Sequence, residues 1–203
     1  PGSGIPEPNR DYADRFRFGC FNHARKLTKP TIALFCDVLI ECPESTLLLK
    51  SISFHEQDEQ RRIRKRFEQK RIDPDRLIIL DWVKGGLNHL ACYNQIDAAL
   101  DPFPYGGATT TAESLWMGVP VITIAGYNFN SRCGESINKN LNMEQLIAKD
   151  EDDYIKKVVN LTNNINDYIN IRKSIFLDAI KSPLFNTEDY SKSFFETLKK
   201  IVQ

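Results

Sequence analysis

The residues best placed to do chemistry lie between Leu100 and Gly118. They run Leu100-Asp101-Pro102-Phe103-Pro104-Tyr105-Gly106-Gly107-Ala108-Thr109-Thr110-Thr111-Ala112-Glu113-Ser114-Leu115-Trp116-Met117-Gly118. An apolar strand candidate leads into a Pro/Gly loop, and the loop leads into a helix candidate. Gly106 and Gly107 let the backbone approach a ligand closely. Thr109, Thr110 and Thr111 at the helix start offer free N–H groups and hydroxyls, a combination that suits a phosphate. The helix dipole adds roughly half a positive charge there. Glu113, one turn in, could accept hydrogen bonds from ribose hydroxyls. A capped strand-to-helix turn with no ligand would carry the same residues, so spacing alone leaves both readings open.

Two further segments fall after strand candidates. Phe21-Asn22-His23-Ala24-Arg25-Lys26-Leu27-Thr28 carries Lys26, an ammonium able to neutralise a phosphate as a point charge. Trp82-Val83-Lys84-Gly85-Gly86 precedes His89, whose flat ring could stack on a base. An exposed lysine and a surface histidine are the plainer alternatives. No HExxH and no paired cysteines occur among three histidines and five cysteines, so a protein-bound metal is not expected. Asp73-Pro74-Asp75 spells DxD, but the proline and the following strand favour a turn. No GxxxxGK[ST] and no GxSxG occur, which removes the P-loop and α/β-hydrolase readings.

The elements that must hold these loops alternate. Strand candidates at 17–21, 46–50, 76–80, 96–100 and 119–124 are separated by helix candidates at 29–41, 58–71, 87–94 and 110–117. Short apolar strands alternating with helices predict βαβ units and a parallel sheet with both faces covered. Ligands of such sheets collect at the carboxyl ends of the strands, where all three loops fall. Beyond about residue 131 the pattern is helical only. The last helix, 187–202, aligns Tyr190, Phe194, Leu198 and Ile201 on one stripe, with Asn186 and Asp189 as its cap and first-turn acid.

Composition sets the frame. The 203 residues hold 27 Lys+Arg and 27 Asp+Glu, with 41% hydrophobic residues, as in an ordinary globular domain. Zero net charge supplies no global attraction to nucleic acid or acidic membranes, and no apolar run is long enough to span a bilayer. The odd cysteine count argues for reduced thiols and a cytoplasmic location. Residues 1–15 read as a polar tail or linker beginning with a cloning remnant, Pro1-Gly2-Ser3-Gly4, and 16–203 as one domain. The chain therefore reads as a fragment of something longer.

The blocks Phe21-Asn22 with Lys26, Leu100 to Pro120, Ser131-Arg132, Leu146-Ile147-Ala148-Lys149 and Ser182-Pro183-Leu184-Phe185-Asn186-Thr187 resemble, in order, the C-terminal catalytic half of the O-linked N-acetylglucosamine transferases and the SPINDLY proteins. The resemblance runs from about residue 17 to 203. It implies the C-terminal domain of a GT-B glycosyltransferase: a Rossmann-like parallel sheet flanked by helices that binds a nucleotide sugar. Lys26 would contact the diphosphate and carry catalysis. Gly107, Ala108, Thr109, Thr110 and Thr111 would wrap the phosphates, Glu113 would bind ribose, and His89 with the backbone at Val83 and Lys84 would hold the base. His23 stands where the family usually has Gln or Asn, and Ala108 where animal members have His.

The donor implied is UDP-GlcNAc, with GDP-fucose as the alternative and no cofactor or metal. The implied acceptor is Ser/Thr of a protein, reached through an N-terminal half and TPR repeats that this chain lacks, so the chain alone would be inactive. A non-catalytic nucleotide-binding module and another GT-B enzyme are the competing readings. The stripe on the last helix would face the missing half. Lys26 and the helix N-terminus would make a positive pocket at the carboxyl edge of the sheet.

Overall fold

The structure is a computed structural model and describes residues 15–202; the tail expected at 1–15 lies, but for Arg15, outside the described residues. Six strands form one parallel sheet: β1 (Arg17–Cys20), β2 (Thr46–Lys50), β3 (Leu77–Leu80), β4 (Ala98–Leu100), β5 (Val121–Ile124) and β6 (Ile147–Ala148), in the order β3-β2-β1-β4-β5-β6. This is the doubly wound Rossmann order. The helices are α1 (Lys29–Glu41), α2 (Gln57–Glu68), α3 (Gly86–Ala91), α4 (Thr109–Trp116), α5 (Cys133–Asn140), α6 (Glu151–Asn163), α7 (Ile165–Lys181) and α8 (Thr187–Val202).

The strands are apolar on both sides because both sides are covered. In β2, Leu47 and Leu49 enter the cluster built with Phe35 and Leu39 of α1 and Ile63 and Phe67 of α2. Leu48 between them enters the opposite cluster with Tyr93, Ile96 and Met117. All five residues of β2 are buried, including Lys50 at its end. Pairing of β1 with β4, not with a sequence neighbour, reverses the winding and opens a switch point between their carboxyl ends.

Each helix boundary has a local cause. Thr28 caps α1 by accepting from the Thr31 N–H, and Pro30 occupies its first turn. α4 stops at Gly118, whose φ of 69° permits a reversal in which Gly118 N–H donates to Leu115 and Val119 N–H to Ser114. α2 ends at Glu68, short of the expected 71, because Arg71 turns back with φ of 61°. Asn186 accepts from the Asp189 N–H, the cap expected for α8. Asp73 accepts from the Asp75 N–H at 2.9 Å, so DxD is a turn.

One expectation fails. The chain is not purely helical after 131, because Ile147–Ala148 adds a sixth strand beside β5. Two residues are too few to show a period in sequence.

Gly19 in β1 marks a close approach, as glycine inside a strand often does. A Cβ there would lie 2.4 Å from Cδ1 of Ile96, which is fully buried. Gly19→Ala is expected to cost about 1–3 kcal/mol by overpacking, measured as a lower denaturant midpoint. An unchanged midpoint would show that Ile96 can move aside freely.

Candidate functional site

At the switch point the turn after β1 meets the loop after β4. Ala24–Lys26 form a single 3-10 turn, capped by His23, whose Nδ1 accepts from the Arg25 N–H at 3.2 Å. The turn carries Lys26 across the switch point. Lys26 Nζ donates to the Gly106 carbonyl at 2.7 Å and to Asn22 Oδ1 at 3.0 Å. It also sits 4.2 Å from the centre of the Tyr105 ring, within cation–π range. Burial lowers the Lys26 ammonium from its usual value, and nearby Asp101 works in the opposite direction.

Asp101, the first residue after β4, organises the glycine loop from below. Its carboxylate accepts from the Gly107 N–H at 2.6 Å and from the Thr123 hydroxyl at 2.8 Å. Only glycines fit around it. A Cβ on Gly106 or Gly134 would lie 2.7 or 2.6 Å from Asp101 Oδ2, and one on Gly107 would lie 2.4 Å from the Thr110 hydroxyl. Complete burial pushes the Asp101 carboxyl up to about 6, against the opposing effects of Gly107, Thr123 and Lys26.

α4 begins at Thr109, with Ala108 as a cap residue that offers no side-chain bond. Its first N–H groups are left without a side-chain cap, as anion-binding helix starts are. The three threonines are not equivalent. Thr109 is exposed, Thr110 donates its hydroxyl to Asn22 at 3.2 Å, and Thr111 is buried. Only Thr109 turns a free hydroxyl outward.

Glu113, one turn on, sits in a relay. His89 Nε2 lies 3.0 Å from Glu113 Oε2, and the Tyr93 hydroxyl donates to the same oxygen at 3.1 Å. On its far side, His89 Nδ1 lies 2.5 Å from Lys50 Nζ. Burial alone would raise the Glu113 carboxyl, but the His89 hydrogen bond, with Tyr93 and Lys50, holds it below the ordinary carboxylate value.

Beside this relay lies a cleft of about 400 Å³ at the ends of β1, β2 and β3. It is lined by Phe21, His23, Lys50, Trp82, Val83 and His89, among others. A second cleft of about 680 Å³ opens on the β5 side, between Ala108 and Tyr127, Phe129 and Arg132. A third space, of only about 10 Å³, is lined by Asn22, Asp101 and Thr110, among others. Lys26, where a positive pocket was expected, lines neither cleft; its ammonium is held by the Gly106 carbonyl and Asn22.

The structure brings Lys26, His23, His89, Gly107, Ala108, Thr109, Thr110 and Glu113 to one edge, with Val83 on the cleft wall. Lys84 is exposed and does not line that cleft; its carbonyl accepts from the Asn88 amide at 3.0 Å. Sequence reasoning missed Lys50, Tyr93 and Asp101. A lysine closing an apolar strand and an aspartate following one were the available signals, since both positions face the carboxyl edge of a parallel sheet.

The raised Asp101 value fixes a pH dependence. The folded state holds this proton more tightly than the unfolded chain, whose value is near 3.8. Its contribution is therefore most favourable below about pH 4 and is lost as pH rises to about 6, a change on the order of 3 kcal/mol. Asp101→Asn removes the titration. Denaturant melts should show wild type losing stability relative to the variant across that window; parallel curves would refute the assignment.

The profile of glycosyl transferase family 41 matches residues 12–194. The chain is 32% identical over 176 residues to the "Probable UDP-N-acetylglucosamine--peptide N-acetylglucosaminyltransferase SPINDLY" of Solanum lycopersicum, covering 87% of this chain and 19% of that protein. The chain thus spans about a fifth of that relative's length. A solved O-GlcNAc transferase mutant from Thermobaculum terrenum superposes with a TM-score of 0.89 at 25% identity, over 96% of this chain and 37% of that one. HepE of Anabaena, solved with UDP-glucose, shares the fold with a TM-score of 0.62 at 17% identity, over 93% of this chain and 50% of that one. The sheet order, the flanking helices and these matches together make this chain a GT-B-type Rossmann-like domain that belongs to glycosyl transferase family 41.

Proposed function

We propose that the chain is the nucleotide-sugar-binding part of an inverting protein O-glycosyltransferase, with UDP-GlcNAc as donor and protein Ser/Thr as acceptor. The observation that carries the reading is the convergence of Lys26, the uncapped start of α4 and the His89–Glu113 relay on one sheet edge. In this reading the diphosphate lies across the switch point, against Lys26 and the first N–H groups of α4. The base enters the cleft beside His89, and the ribose reaches Glu113. Both hydrogen bonds to Glu113 among the described residues arrive at Oε2, which leaves Oε1 to accept from ribose hydroxyls.

During transfer the acceptor hydroxyl oxygen bonds to the anomeric carbon as the bond to the diphosphate breaks, and the hydroxyl proton passes to solvent or to the departing diphosphate. The diphosphate leaves with the electron pair, and its growing charge meets Lys26 and the helix N-terminus. Preorganised donors of this kind lower barriers because they need no reorganisation. Two of the three Lys26 N–H donors go to the Gly106 carbonyl and Asn22 Oδ1, which leaves the third to serve a phosphate. The acceptor side and the second wall of the cleft belong to the rest of the longer protein.

Titration calorimetry with UDP and with GDP tests the binding reading on this chain. UDP binding with little response to GDP is expected. Preference for GDP would assign a GDP-fucose donor, and binding of neither would favour a non-catalytic module. In the intact enzyme, Lys26→Ala should lower kcat by roughly 100-fold or more while leaving the fold intact. A near-normal rate would exclude Lys26 from leaving-group stabilisation.

A further inference from the structure

Lys50 has a place that neither its residue type nor its strand requires. It ends β2 and is 3% exposed, yet it is a cation. Buried ammonium groups are costly and need partners. The partners here are His89 Nδ1 at 2.5 Å and the face of Phe21, 5.5 Å from the ring centre. The groups facing this end of the cleft are Lys50 from β2, Glu113 from α4, and Cys92 and Tyr93 from the turn after α3.

Proton accounting then constrains the imidazole. An ammonium has three donors and no acceptor, so a hydrogen bond to Nδ1 requires the Nδ1 lone pair. The ring proton must sit on Nε2, where it points at Glu113 Oε2, 3.0 Å away. The other tautomer would set an N–H against an ammonium and leave Nε2 bare against a carboxylate, so both contacts would become repulsive. A doubly protonated ring fails at the Lys50 side for the same reason.

We infer that Lys50 is a positioning residue that fixes His89 in the Nε2–H tautomer and so orients both the imidazole plane and the Glu113 carboxylate. The residue need not touch the nucleotide. The ring it bonds lies T-shaped to Tyr93, at 5.9 Å between centres and 83°, and lines the cleft. It also leaves Glu113 Oε2 with both hydrogen bonds and Oε1 with none among the described residues. Burial lowers the Lys50 ammonium from its usual value, opposed by Cys92 and Glu113. The consequence for binding rests on the nucleotide reading above; the tautomer does not.

Long-range 15N–1H correlation spectra of the full 203-residue chain read the tautomer of each histidine directly. His23→Gln and His55→Gln assign the His89 signals without disturbing its contacts. In wild type near neutral pH, His89 should be the Nε2–H tautomer. Lys50→Met should release it to a tautomer mixture, and Lys50→Arg, which also donates without accepting, should restore it. Calorimetry with UDP should show about tenfold weaker binding in Lys50→Met, as loss of one well-made hydrogen bond gives, with recovery in Lys50→Arg. An Nδ1–H tautomer in wild type would overturn the inference, since Lys50 would then be a neutral amine that accepts. So would a tautomer, or a UDP affinity, that ignores Lys50→Met. A Lys50-dependent tautomer in a chain that binds neither UDP nor GDP would support the inference while overturning the nucleotide reading.

Discussion

The site depends on one buried carboxylate. Asp101 takes the Gly107 N–H and the Thr123 hydroxyl and lies beneath Lys26, so one residue ties the end of β4 to β5, to the glycine loop and to the turn after β1. Charge is costly in this position, and burial pushes the carboxyl up to about 6. The glycines follow from it. Gly106, Gly107 and Gly134 surround the carboxylate, where a methyl group would displace it or its neighbours. The Gly-Gly pair thus makes room for a protein carboxylate from within as well as for a ligand from outside.

Given this anchor, the rest of the edge falls into two functions. One is charge placement: Lys26 and the α4 start face the same space from opposite turns. The other is ring placement: Lys50, His89, Tyr93 and Glu113 form a continuous chain from β2 to α4. The two meet through Asn22 and Thr110, since Asn22 accepts from Lys26 and from the Thr110 hydroxyl, while the Thr110 carbonyl shares the single Tyr93 hydroxyl proton with Glu113. A substitution at either end will be felt at the other, because side chains in one hydrogen-bonded network do not act independently.

Much of this was legible in the residues. Apolar strands spaced by helices gave the parallel sheet, because period and burial are local signals. The Thr109–Glu113 block marked the helix start that the structure places after the glycine loop. The β6 strand was not legible, since Ile147–Ala148 is too short to carry a period and exists only because β5 offers an edge. The uneven fates of Thr109, Thr110 and Thr111 were not legible either, since they depend on helix phase relative to Asn22 and the core. Lys50 and Asp101 escaped because each looks ordinary in sequence. Their importance comes from partners 39 and 22 residues away.

α8 stands apart from this economy of contacts. None of its residues is buried, and Tyr190, Phe194 and Ile201 keep 67%, 49% and 73% of their surface exposed. A sixteen-residue helix in water is marginal by itself, and most helices take their stability from packing. What holds this one is local: the Asn186 cap, the Glu188–Lys192 ion pair and the stacked Tyr190 and Phe194 rings. In this chain, few buried apolar contacts place its amides at the low-stability, fast-exchanging end of the range.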